Sequence, residues 1–168
     1  LSNDPVEELD DLVGDYLEQE IIAEAITRNI DNYARFLKHA ALTNTELINY
    51  ASVAGDAQVS PTTLRRYYQI LVDTRVAMML TPFKSEKQRK VSSTNKFYFY
   101  DIGVANHLAD YNLSLGKQWE QLVFQELWAY RDYHNRRAAL NFWRSSSKQE
   151  VDFIYDGNVA IEVKTSTK

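Results

Sequence analysis

Near the end of this chain stands the segment Glu150-Val-Asp-Phe-Ile-Tyr-Asp-Gly-Asn-Val-Ala-Ile-Glu-Val-Lys164, in which acidic residues recur two apart and a lysine closes the run. A β-strand turns successive side chains to opposite faces, so Glu150 and Asp152 share one face of one strand and Glu162 and Lys164 share one face of the next. Asp156-Gly157 is a hairpin signal between them. Folding on that turn lets Asp152 lie close to Glu162 and Lys164. Two crowded carboxylates do not both stay ionised cheaply unless a positive charge intervenes, and a hard divalent cation such as magnesium is the usual remedy. A neighbouring lysine can then orient or deprotonate a metal-bound water, while the metal neutralises the charge growing on a phosphodiester. The structural alternative is an exposed strand face with cross-strand charge pairs of about 0.2 to 1 kcal/mol each.

Elements upstream must position that segment. Trp119, Leu122, Val123, Glu126, Leu127 and Tyr130 trace one side of a helix from about Lys117 to Tyr133. Strands are expected over 138–144, 150–155 and 159–164, so the second half reads helix, strand, strand, strand. The first half reads differently. Apolar residues from Val6 to Ile22 fall at helical spacing, and Tyr33, Phe36, Leu37, Ala40 and Ala41 start a second helix. Thr43 with Glu46 fits a capping box for a third helix running to about Ala54. Ser60 as N-cap and Pro61 at the first helical position open a fourth, which runs to about Arg75. Two short helices around a glycine-containing turn make a helix-turn-helix pattern. Val76–Phe83 and Lys96–Tyr100 then read as a hairpin with a long basic tip, which completes a winged helix. In such a module Thr62, Thr63, Arg65 and Arg66 occupy the first turns of the recognition helix, and Lys84, Lys87, Arg89 and Lys90 the wing. The alternative is a protein-interaction module with solvated charges. A short helix from Asp101 to Asp110 follows.

Charge supports the division. Residues 1–31 carry ten acidic residues against the single Arg28, whereas residues 60–100 carry eight basic residues against Asp73 and Glu86. The net charge of −4 therefore averages an acidic leading segment with a basic region that attracts polyanions. The 168 residues contain no cysteine, which excludes disulfides, thiolate zinc sites and cysteine nucleophiles, and makes the cytoplasm the expected compartment. No apolar run is long enough to span a membrane. His39, His107 and His134 stand far apart without ligand spacing, and the tryptophans fall at core positions. The start at Leu1, with no secretory signal, suggests a piece of a longer protein.

The Asp152, Glu162-x-Lys164 pattern after a helix resembles the PD-(D/E)XK nuclease superfamily, with Glu120 matching the glutamate that many members carry on that helix. The resemblance implies that Asp152, Glu162 and the Val163 carbonyl hold magnesium, that Glu120 binds it directly or through water, and that Lys164 positions the attacking water. It also implies that Arg144, Ser145 and Ser147 line the phosphate side. A longer match covers nearly the whole chain: Tyr16-Leu-Glu-Gln-Glu-Ile-Ile, Arg35-Phe-Leu, Ser60-Pro-Thr-Thr, Lys96-Phe-Tyr-Phe-Tyr-Asp-Ile-Gly-Val-Ala, Gly116 with Glu120, Glu126-Leu, Trp143-Arg-Ser and Glu150-Val-Asp-Phe. These segments resemble the C-terminal region of the predicted prokaryotic AAA+ family ATPases, in which a P-loop domain comes first. No Gly-x-x-x-x-Gly-Lys-Ser/Thr occurs here, so ATP is expected only in that other domain. The resulting expectation is an α+β chain. A helical segment and winged helix-turn-helix module fill residues 1–110, and a restriction-endonuclease-like α-β-β-β core, truncated before the superfamily's last helix and strand, fills residues 111–168. The expected partners are DNA, the N-terminal ATPase domain of the same chain and other copies in a homo-oligomer, with no membrane. The expected function is nucleic-acid binding, with magnesium-dependent DNA cleavage or, alternatively, an inactive regulatory or protein-interaction role.

Overall fold

The structure is a computed structural model that describes residues 7, 8, 11, 13, 30–84, 94–110, 112–134, 137–145 and 147–165. Most of the helix expected from Val6 to Ile22 lies outside these residues, as do Lys87, Arg89 and Lys90 of the expected wing tip. Five helices and a five-stranded mixed sheet make an α+β architecture among the described residues. In chain order they are α1 (Ile30–Leu42), α2 (Tyr50–Asp56), α3 (Pro61–Asp73), β1 (Ala77–Pro82), β2 (Lys96–Phe99), α4 (Ile102–Ala109), α5 (Leu115–Tyr133), β3 (Leu140–Arg144), β4 (Glu150–Tyr155) and β5 (Val159–Ile161). No described helix is long and apolar enough to cross a membrane.

The chain groups into two compact units. The first holds residues 1–42, 49–76 and 101–113, and the second holds 43–48, 77–100 and 114–168. The expected boundary at residue 110 falls between α4 and α5, but the hairpin expected as a wing groups with the second unit.

In the first unit, α1 buries Tyr33, Phe36, Leu37, Ala40 and Ala41 along the face its spacing predicts. Phe36 meets Tyr68 edge to face at 4.9 Å, and Tyr33 meets Tyr67 at 4.8 Å. The third helix does not start at the expected capping box. The Glu46 N–H donates to the Thr43 carbonyl in a turn, Thr45 takes φ 72°, and Leu47 bridges to Lys96. The backbone of residues 45–47 is thus engaged by β2, through Thr45 N–H to Phe97 O at 2.8 Å and Phe97 N–H to Glu46 O at 3.1 Å. Helix α2 begins only where Asn49 can cap, its side chain accepting from the Ser52 N–H. Ser60 and Pro61 open α3 as expected, with the Ser60 hydroxyl accepting from the Thr63 N–H at 3.1 Å. That helix stops at Asp73, because Arg75 takes φ 58°.

In the second unit, β1 and β2 pair antiparallel with Leu80 opposite Lys96. They do not form a separate ribbon. Strand β1 also pairs in parallel with β3, Thr81 opposite Asn141, so the sheet runs β2-β1-β3-β4-β5. A β1 edge that a free hairpin would leave open finds its hydrogen-bonding partner in β3. Asp156 and Gly157 both take positive φ in the turn from β4 to β5. Met78, Leu80, Tyr98, Leu140, Phe142 and Phe153 of the sheet bury themselves around Phe124 of α5. Tyr98 and Phe124 stack at 4.3 Å.

Candidate functional site

Strand β2 reads Lys96-Phe-Tyr-Phe99 and all four residues are buried. Alternation puts Lys96 and Tyr98 on one face, and Tyr98 stacking on Phe124 fixes that face toward α5. One turn before Phe124, α5 presents Glu120 to the same place. Strand β4 presents Glu150 and Asp152, two residues apart and therefore on one side.

These side chains converge on the Lys96 ammonium, which is only 3% exposed. It stands 2.9 Å from Glu120, 2.5 Å from Glu150 and 3.7 Å from Asp152. The Tyr98 hydroxyl donates to the same Glu120 oxygen at 2.6 Å. The other Glu150 oxygen accepts from Arg144 at 2.9 Å, and Asp152 accepts from the Val163 N–H at 2.8 Å. Burial disfavours the lysine charge, but Glu120 and Glu150 outweigh it and hold the Lys96 pKa above its ordinary value. Burial raises the Glu120 pKa, which Lys96 and Tyr98 pull back only in part. Burial, reinforced by Glu120, pushes the Tyr98 hydroxyl well above the usual tyrosine range. The cluster opens into a hollow of about 480 Å³ lined by Thr45, Glu46, Leu47, Lys96, Lys117, Glu120, Arg144 and Glu150. Lys117 at its rim pairs with Glu46 at 2.6 Å.

Of the expected nuclease residues, Glu120 and Asp152 are brought together and Glu162 and Lys164 are not. Strand β5 ends at Ile161, and beyond it Glu162 and Lys164 pair with each other at 3.2 Å, their side chains 55% and 75% exposed. Asp152 meets this segment through the Val163 amide rather than through the Glu162 carboxylate. The arrangement does not fit a magnesium ion. An ammonium occupies the focus of Glu120, Glu150 and Asp152, and among the described residues no group of three or more His, Cys, Asp or Glu is disposed to hold a metal. Arg144 is committed to Glu150, while Ser145 and Ser147 share a hydrogen bond at 2.9 Å in the β3–β4 loop.

Sequence reasoning missed Lys96 and Tyr98 as site residues and left Glu150 as a bystander. A signal was present: a lysine alternating with aromatics in a strand buried on both faces has to find carboxylates. On the first unit, Thr62, Arg65 and Arg66 are exposed on the first two turns of α3 and Thr63 is half-buried in the cap. The Arg65 guanidinium lies 4.1 Å over the Tyr50 ring. Lys84, at the end of the described part of the hairpin, is exposed.

Residues 2–116 match the family described as Domain of unknown function (DUF8612), and residues 115–168 match Domain of unknown function (DUF4143). The latter is commonly found in C-terminal regions associated with AAA ATPases. Uncharacterized proteins of Mycobacterium bovis and Mycobacterium tuberculosis are each 29% identical over 115 residues, covering 64% of this chain. The chain spans 25% of the length of those relatives. No solved structure matches.

Proposed function

The chain belongs to the DUF8612 family, and on that premise we propose that it is a DNA-binding regulatory region of an AAA+ family ATPase, with a winged helix-turn-helix and a nuclease-like sheet that does not cut. The observation that carries DNA binding is the start of α3. Ser60 and Pro61 set the helix so that Thr62, Arg65 and Arg66 are exposed on its first two turns, just after α2 and a tight turn. A helix N-terminus favours phosphate, and arginines there add charge-assisted contacts. In the sequence, Lys84, Lys87, Arg89 and Lys90 add further basic charge in favour of this reading. The nuclease-like reading of the second unit draws on helix α5 followed by three antiparallel strands, with Glu120 and Asp152 converging. Commitment of both carboxylates to Lys96 favours the non-cleaving form over magnesium-dependent hydrolysis. The absent ATPase domain and further copies of the chain are its proposed partners.

Fluorescence anisotropy with duplex DNA tests the binding. Contacts by about six basic residues give a log-log salt slope near −5, and replacing Arg65 and Arg66 with alanine is expected to weaken binding about tenfold and flatten the slope by about 2. Absence of binding at low salt excludes the proposal. Magnesium-dependent nicking that disappears in Asp152→Ala would instead establish the cleaving form.

A further inference from the structure

We infer that Lys96 is the resident cation of the Glu120–Glu150–Asp152 cluster, a tethered ammonium that fills the place a divalent metal could otherwise take between these carboxylates. The inference rests on reading the second unit as nuclease-like; it does not depend on whether α3 touches DNA. Three carboxylates reach this point from two elements, α5 and β4, and all three are at least three-quarters buried. Such a convergence requires positive charge at its centre. Magnesium would meet the requirement with near-octahedral oxygen coordination. The protein meets it with an ammonium that lies 2.9, 2.5 and 3.7 Å from oxygens of Glu120, Glu150 and Asp152.

Lys96 cannot yield this place easily. Its backbone is fixed in β2 opposite Leu80 and bridged to Leu47, and its ammonium lies 5.8 Å from the Phe142 ring centroid. Swinging out would break three ion pairs at once. The remaining donors are engaged as well: Arg144 holds the second Glu150 oxygen, Tyr98 reinforces Glu120, and the Val163 amide holds Asp152. The carboxylate constellation is therefore satisfied by the chain alone, and a divalent ion entering it would have to displace a covalently attached competitor.

Mn2+ titration of the 168-residue chain, by calorimetry and by the loss of the free-ion paramagnetic signal, tests this. The unaltered chain is expected to show no saturable binding up to about 5 mM and the same melting temperature with EDTA as with excess Mg2+. Lys96→Met vacates the centre while keeping the apolar stem. That variant is expected to bind about one Mn2+ per chain at least tenfold more tightly than the unaltered chain, to melt several degrees higher with the ion than with EDTA, and to lose both effects when Asp152→Asn is added. Folding of Lys96→Met only when Mn2+ is present supports the inference equally. A charge-balanced variant, Lys96→Met with Glu150→Gln, is measured alongside. Saturable Mn2+ binding by the unaltered chain that Asp152→Asn abolishes overturns the inference. So does the absence of improved Mn2+ affinity in both Lys96 variants, or their failure to fold in its presence. Because the readout contains no DNA, loss of this inference and loss of DNA binding by α3 are separate results.

Discussion

Burial works against the charge on Lys96, yet its pKa is raised because Glu120 and Glu150 favour the ammonium more than desolvation penalises it. A group whose folded pKa exceeds its unfolded one binds its proton more tightly in the folded state, so its stabilisation is complete below the ordinary lysine value of 10.5 and is lost as pH rises through the folded value. Tyr98, also raised, has the same sign. Denaturant unfolding between about pH 9 and pH 11.5 is expected to show stability falling more steeply for the unaltered chain than for Lys96→Met. Parallel profiles would show that the lysine does not carry the linkage. At neutral pH, Lys96→Met strands buried carboxylates and is expected to cost about 3 kcal/mol, measured by urea unfolding without divalent ions. Tyr98→Phe removes a donor that lowers the Glu120 pKa, so that carboxyl is expected to titrate at still higher pH, as followed by carboxyl carbon resonances.

Elements defined by local chemistry were legible. The Ser60-Pro61 start, the short helix expected from Asp101, whose side chain accepts from the Val104 N–H at 3.0 Å, and the Asp156-Gly157 turn each rest on residues near one another in sequence. Ser60→Ala is expected to cost about 1 kcal/mol in urea unfolding, and Ser60→Asp to retain most of that stability. Elements decided at long range were not legible. Thr43 and Glu46 have the spacing of a capping box, but their segment is drawn into pairing with β2, about fifty residues away in sequence. The parallel pairing of β1 with β3, Thr81 with Asn141, has no local signature because register across sixty residues depends on which sheet edge is left open. The candidate site divides the same way. Glu150 and Asp152 could be placed on one strand face by periodicity and Glu120 came from the family resemblance, while the lysine that gathers them comes from a strand expected to belong to another module.

At the scale of the molecule, the chain passes between its two compact units at residues 42/43, 48/49, 76/77, 100/101 and 113/114. A fragment of residues 111–168, which sequence alone would cut out as a module, lacks β1, β2 and Lys96. It is expected to show no cooperative thermal transition by circular dichroism, whereas the 168-residue chain is expected to show one. A cooperative melt in the fragment would mean that β3–β5 and α5 suffice as a folding unit.

The parallel join between β1 and β3 also sets an order of events on the ribosome. Helices α1 to α3 are complete in synthesis by Asp73, but the β1 edge must wait until Leu140–Arg144 emerges, and Lys96 waits for Glu120, Glu150 and Asp152. At roughly 5–20 residues per second, that leaves one β1 edge unpaired and the lysine without its counter-ions for several seconds. Slowing translation across α5 would lengthen that interval.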